Sequence, residues 1–384
     1  MRFFAKFGHG ADTTLLIVVV VLIFAGFLFL ASASSDVGTL RYGDGYFFLK
    51  NQMLKGLLPG VVGFLFGYFF YYRRWKPLSF VLLAANVILL ILVFTPLGYA
   101  AKGANRWIDI GGFSFQPSEF LKITFILYIA NLLSSAILKK QKKSWQTYFL
   151  FAGVTLAVGF LIFIQPATTM AVIVLGAGAI IYFLNSGGWK QVLASIGIVA
   201  VVGGLLLAVT PYRFLRVLPF WNDIAQEVAP GLVVEQEEVD TFHADQSLLA
   251  IGMGGISGVG FGQSTTKYSL LPEPMGDSIF SVIAEEFGFV GSFILIVLYV
   301  VLFWRMTDIM QRCTDDFARL TVLGFAAVIS IQTIIHIAAN AALFPYTGVP
   351  LPFISYGGTA LAVMLTMMGI TLNISRHTSR LKTM

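Results

Sequence analysis

Charge is scarce in this sequence: Asp, Glu, Lys and Arg together make up 11% of the 384 residues. Cysteine is scarcer still, represented by Cys313 alone. A single cysteine excludes an intramolecular disulfide and any multi-cysteine zinc or iron–sulfur site. The histidines, His9, His243, His336 and His377, are scattered, with no two at metal-ligand spacing. No strand precedes the glycine-rich GMGGISGVGFG of 252–262 and no Gly-Lys-Ser/Thr follows it, which disfavours a Rossmann or P-loop site. Close backbone packing of an outer-face or partly re-entrant segment explains those glycines better. There is no G-x-S-x-G elbow. Nor is there a fixed-period repeat, which removes support for an inverted-repeat transporter.

What is abundant is apolar sequence. Hydrophobic residues make up 57% of the chain, and its mean hydropathy of +0.84 lies far from that of soluble domains. Runs long enough to cross the hydrocarbon core as helices recur, and the short alternating segments of a membrane β-barrel are absent. An all-α polytopic membrane protein of about ten spans is expected, at 15–35, 54–72, 77–98, 117–138, 147–165, 169–185, 191–210, 278–304, 317–341 and 358–374. Gln165-Pro166 divides the continuous apolar stretch 147–185, because proline breaks a helix. The first run ends in Ala31-Ser32-Ala33-Ser34, similar to a cleavage site, yet its length and the spans after it favour a membrane helix. His336, within a span, is expected to be a hydrogen-bonded interior residue. Gly56, Gly60, Gly63 and Gly67 form a stripe suited to helix packing.

With the N-terminus in the cytoplasm, 16 of the 25 basic residues fall on inner segments and only Asp12, Asp308, Asp315 and Asp316 of the 19 acids do. That is a positive-inside pattern with both termini cytoplasmic. The net charge of +6 is therefore a topology signal, and nucleic acid is not an expected partner. One integral membrane domain, 1–384, follows, with 211–277 as its large outer loop between the seventh and eighth spans.

Two stretches carry chemistry. In GANRWIDIGGFSFQPSEFLKI, 103–123, Arg106 and Trp107 suit the headgroup interface, where a guanidinium can clamp phosphate with two bonds. Pro117 opens the next span, and Glu119 and Lys122, three apart, share a face and can pair with each other or a neighbour. In LPEPMGDSIF, 271–280, Asp277 stands where the outer loop gives way to an apolar run. As an N-cap or first-turn acid it would contribute roughly 1 kcal/mol. Capping does not explain its company: Glu273, Lys267, and Glu285 and Glu286 two turns on. Asp277 and Glu285 would lie on nearly one helical face, and buried carboxylates there should line a polar cavity.

GANRWIDIGGFSFQPSEFLKI, DQSLLAIGMGGISGVGFGQSTTKYSLLPEPMGDSIFSVIAEEFGFVG and GVPLPFISYGG, in that order, together resemble the FtsW/RodA (SEDS) family. The likeness is closer to division-type FtsW. It implies a peptidoglycan glycosyltransferase of the bacterial cytoplasmic membrane that polymerises lipid II on the outer side. The implied partners are a class B penicillin-binding protein and other divisome or elongasome membrane proteins. The family's catalytic aspartate falls on Asp277, and the matched blocks bring Gln246, Ser247, Ser355 and Tyr356 forward as substrate-binding candidates. The sequence departs from the family at Gln165-Pro166-Ala167-Thr168-Thr169-Met170, where Q-P-D-x-G-T is common. It departs again at Thr347, where many FtsW proteins carry lysine, and in a long acidic 222–245 stretch.

The expected reaction is attack of an acceptor 4-hydroxyl on a lipid-diphosphate-linked donor, with Asp277 as general base. A carboxylate at the edge of low dielectric makes a better base than a solvated one. Lys102, Arg106, Arg213, Arg216 and Lys267 are candidate diphosphate contacts, and a divalent cation, Mg or Mn, can assist, with no coordination set indicated. Two rivals stand beside this reading. One is a lipid II flippase, with Glu119, Lys122, Glu285 and Glu286 lining a headgroup path; the other is a non-catalytic scaffold of the division machinery.

Overall fold

The computed structural model describes residues 10–101, 104–111, 113–135, 145–165, 167–185, 188–198, 238–268 and 271–378. The chain opens with α1 (Thr13–Tyr42), whose first turn is capped by Asp12 accepting from the Leu15 amide at 2.8 Å. Gly43, at φ 68°, ends it in the left-handed conformation that glycine adopts without penalty. Next come α2 (Phe47–Gln52), a π turn at Met53–Leu57, and α3 (Leu58–Phe69), which run together as one hairpin arm. A 3₁₀ turn, Tyr72–Arg74, leads into α4 (Trp75–Leu92). Helices α5 (Pro117–Ser134), α6 (Trp145–Ile164) and α7 (Thr168–Asn185) follow, and 189–198 is helical. The chain ends through α8 (Glu238–Gly254), α9 (Ile279–Arg312), α10 (Asp316–Asn340) and α11 (Gly358–Ser375).

Among the described residues, eight helices are long and apolar enough to span a membrane. The fold is mostly helical, as expected, although the spans differ in extent. The third begins at Tyr72 and ends at Leu92, earlier than 77–98, and α9 runs on to Arg312. Helix α5 starts at Pro117 as expected, and the break between α6 and α7 falls beside Gln165. The expected 191–210 span and the loop segment 211–237 lie largely outside the described residues.

Two features were not expected from the sequence. Between α4 and α5 lies a three-stranded antiparallel sheet: β1 (Gly98–Ala101), β2 (Ala104–Ile110) and β3 (Phe113–Phe115). Tyr99 pairs with Trp107 and Ile108 with Phe115. The second is α8, a helix inside what reads as a loop, packed against α9 and α10.

Helix α5 is the centre of the bundle, touching α4, α7, α10 and α11. Leu121, Phe125, Ile126, Leu127, Ile129 and Ala130 on it are fully buried. The glycine stripe meets α11 as expected. A Cβ on Gly60 would sit 2.6 Å from Leu365 Cδ1, and one on Gly67 2.8 Å from the Ile370 amide. The absent side chains let the two backbones approach, and dispersion contacts hold helices together where lipid removes the hydrophobic drive.

The glycine-rich stretch explains the course of α9. That helix breaks at Gly288 (φ 63°, ψ −162°). The Val259 and Gly260 amides donate to the Glu285 and Glu286 carbonyls at 3.0 Å each, while Phe289 and Val290 donate to the Gly255 and Ile256 carbonyls at 2.9 and 3.2 Å. The inserted loop thus satisfies the groups released by the break, which apolar surroundings would otherwise leave at a cost of several kcal/mol each. Gly258, at φ 81°, passes so close to Phe287 Cα that a Cβ would come within 2.6 Å of it.

Candidate functional site

The C-terminal ends of α1 and α10 and the N-terminal ends of α9 and α11 meet at one end of the bundle, around the loop 271–278. A small second core, Leu30, Ala33, Phe48, Ala250, Leu271, Met275 and Val282, supports it from beneath. Asp277 is half-buried at the tip.

The loop is held by its backbone. Ser355 Oγ donates to the Gly276 carbonyl at 2.7 Å and the Tyr356 amide to the Met275 carbonyl at 2.9 Å. Asn340 Nδ2 donates to the Asp277 carbonyl at 3.0 Å, while Asn340 Oδ1 accepts from Ser281 at 2.8 Å. Ser355 also accepts from the Leu351 amide, and Gln52 Oε1 accepts from the Gly357 amide, so the 349–357 segment is tied down in turn. His336 is the interior residue expected, its Nδ1 2.7 Å from the Val349 carbonyl oxygen.

Gly348 lies beside the carboxylate, its Cβ position 3.3 Å from Asp277 Oδ2, and the phenol of Tyr346, two residues earlier, is pushed up by burial and next by the Asp277 charge. The capping expectation is corrected. The N-cap of α9 is Ser278, whose hydroxyl turns to the Pro272 carbonyl at 2.8 Å instead of capping, and no acid stands in the first turn. Asp277 precedes the helix, so it does not share a helical face with Glu285 either.

Glu285 and Glu286 are consumed by the loop before them, which corrects the expectation that they line a polar cavity. Glu285 accepts from Ser264, from the Thr265 amide at 2.8 Å and from Thr266. Glu286 accepts from Ser32 at 2.6 Å and Lys267 Nζ at 2.9 Å, and Lys267 also donates to Ser32 and the Gly262 carbonyl. Lys267 is thereby buried in an ion pair that locks the glycine-rich loop onto α9.

Glu119 and Lys122 pair at 2.7 Å on α5, both essentially without exposure. Arg106 and Trp107 stand on β2, half-buried, and Arg106 Nε donates to the Gln165 carbonyl at 3.1 Å. Gln246 and Ser247 lie on α8, where Ser247 is fully buried, and among the described residues neither Gln246 Oε1 nor Ser247 Oγ has a hydrogen-bond partner. Lys102, Arg213 and Arg216 fall outside the described residues. Asn340, Ser278 and Tyr346 join the site without having been singled out for it, since nothing in their local sequence marks them.

The match to known proteins follows this architecture along its whole length. Residues 12–380 fit the model of the FtsW, RodA and SpoVE cell cycle proteins, and the chain belongs to that family. It is 34% identical to stage V sporulation protein E of Bacillus subtilis, over 95% of this chain and 97% of the other. To a probable peptidoglycan glycosyltransferase FtsW of Geobacter sulfurreducens it is 36% identical, with 95% of each covered. Among solved structures, it superposes on a chain of a peptidoglycan synthase complex that coordinates polymerization and crosslinking, with a TM-score of 0.72 at 25% identity over 96% of this chain and 98% of that one. The rod shape determining protein RodA of Thermus thermophilus gives a TM-score of 0.68 at 27% identity, with 96% and 98% covered.

Proposed function

We propose that this chain is a peptidoglycan glycosyltransferase that polymerises lipid II at the outer face of the bacterial cytoplasmic membrane, with Asp277 as the general base. The carrying observation is a half-buried carboxylate on a loop fixed through three backbone carbonyls, with the side-chain-free Gly348 beside it. A base whose place is fixed through its own backbone is what proton transfer in a transition state needs.

In the reaction, the acceptor 4-hydroxyl attacks the anomeric carbon of the donor as its proton passes to Asp277. The bond to the lipid diphosphate breaks, and the electron pair leaves with that group. Attack opposite the leaving group inverts an α-linked donor to a β-linked product. Charge growing on the diphosphate calls for cations. Arg106 is the residue proposed for this role among the described ones, on its guanidinium chemistry, whereas Lys267 serves the loop. Lys102, Arg213 and Arg216 stay proposals from the sequence. A divalent cation stays a proposal as well: among the described residues no three His, Cys, Asp or Glu side chains converge, so no step is assigned to it. A class B penicillin-binding protein and other envelope-synthesis membrane proteins are the proposed partners, and 211–277 the proposed outer loop.

The test is polymerisation of labelled lipid II by the full chain with its cognate penicillin-binding protein. Asp277→Asn and Asp277→Ala should lower the rate by about 10²-fold or more, with folding intact. Undiminished polymer from either variant would sink the assignment. Lipid II crossing vesicles without any polymer would instead establish the transporter reading.

A further inference from the structure

Tyr346 has no part in the reaction just described, yet its side chain is fixed next to the Asp277 loop. Its hydroxyl lies 3.1 Å from Ser278 Oγ. Ser278 has one proton and gives it to the Pro272 carbonyl at 2.8 Å, so Tyr346 is the donor and Ser278 the acceptor. The phenol proton is therefore committed. Burial and the nearby charges of Asp277 and Glu273 keep it bound, which removes Tyr346 as a competing base. On its other side the ring is stacked by His243 of α8, with centroids 4.6 Å apart and planes within 13°. Aromatic pairs in such contact contribute about 0.5–1.5 kcal/mol beyond their area and fix the ring's plane. The ring is thus held at both ends of the contact: by hydrogen bond to the residue after Asp277, and by stacking on a helix whose C-terminal end runs into the α9 break.

We infer that Tyr346 is a positioning residue for Asp277: clamped between Ser278 and His243, its ring forms a fixed wall that keeps water from one side of the carboxylate and holds the carboxylate in its reactive place. Helix α8, through His243, sets where the wall stands. This rests on Asp277 being the base, and the alternative is that the ring merely fills space.

Two readouts on the full chain with its penicillin-binding protein separate these. The first is steady-state polymerisation of labelled lipid II. Tyr346→Ala should lower kcat about tenfold with KM within about twofold, as expected for a misplaced base, while Tyr346→Phe keeps the wall and loses less than about threefold. His243→Ala should follow Tyr346→Ala in a smaller degree, and His243→Phe, which keeps a stacking ring, should restore the rate. The second readout needs no activity: modification of Asp277 by a water-soluble carbodiimide and an amine, read by mass spectrometry. It should rise severalfold in Tyr346→Ala and stay at the wild-type level in Tyr346→Phe. If Tyr346→Ala does not elute as a folded protein, His243→Ala gives the same reading.

The inference is overturned if Tyr346→Ala leaves kcat and labelling unchanged, or if Tyr346→Phe falls as far as Tyr346→Ala, which would make the hydroxyl the active group. If Asp277→Asn stays fully active, the assigned reaction fails, and the labelling alone judges the wall. If Asp277→Asn is inactive while Tyr346→Ala keeps both readouts, the wall fails by itself.

Discussion

Removing Lys267 should unfold this protein more readily than removing almost any other side chain at the membrane lip. Its side chain is 2% exposed and that of Glu286 1%, with the ammonium 2.9 Å from the carboxylate. In Lys267→Met the Glu286 carboxylate keeps, among the described residues, only the Ser32 hydroxyl, at 2.6 Å, as a side-chain donor. A charge stranded in this way costs about 3–5 kcal/mol. Glu286→Gln leaves an amide that still accepts from Ser32 and Lys267, so its cost should be nearer 1–3 kcal/mol. Replacing both partners with apolar groups should recover at least half of the Lys267→Met loss, because the desolvation penalty of the pair disappears with its attraction. The assay is reversible unfolding in mixed micelles followed by tryptophan fluorescence, completed as a double-mutant cycle. Hydrogen exchange over 255–268 gives a local check, since Lys267 also holds the Gly262 carbonyl at 2.8 Å. A cost below about 1 kcal/mol for Lys267→Met would refute the reasoning, because it would mean the pair is solvated rather than enclosed.

Gly288→Ala should abolish folding or cost more than about 3 kcal/mol, because the residue sits at φ 63° and a Cβ would come 2.6 Å from the Ile256 carbonyl oxygen, which is backbone and cannot swing aside. Gly153→Ala, where a Cβ meets nothing within 4 Å, is the control and should be neutral or gain up to about 1 kcal/mol; monodisperse yield and unfolding midpoint measure both. The Cys313 thiol is pushed up to about 12 by burial, with the Asp315 charge adding to it. At pH 8 it should therefore react with maleimide about 10³-fold more slowly in the folded protein than after denaturation, and equal rates would refute its enclosure.

Much of the fold is legible in the sequence because lipid imposes one rule: a spanning segment must be apolar and must satisfy its backbone within itself. Composition and run length are enough to find such segments, and the breaks at Gln165 and before Pro117 are marked by local chemistry. The glycine stripe at 56–67 was legible for the same reason, since small residues at helical spacing have few other uses in a span. The β-sheet at 98–115 was hidden because its strands are only three to seven residues long, too short for an alternating pattern to stand out, although each pairs with the next along the chain. Helix α8 was hidden because its apolar and polar residues do not follow a clear helical period.

The site divides along the same line. Sequence alone marked Asp277, by its position and by the blocks around it, and marked Glu119 and Lys122 as a pair by their spacing. It also grouped Asp277 with Glu285 and Glu286 on adjacency, and there it misled, since a helix that starts at Ile279 and breaks at Gly288 gives these acids separate tasks. Only the tertiary structure could separate them. The hydroxyls, amides and ammonium that neutralise Glu285 and Glu286 come from 264–267 and from Ser32, and the carbonyl clamps on the Asp277 loop come from Asn340, Ser355 and Tyr356. A lone sequence shows which residues are costly to bury. The partners that offset this cost lie up to hundreds of residues away, and only the folded chain brings them within hydrogen-bonding distance.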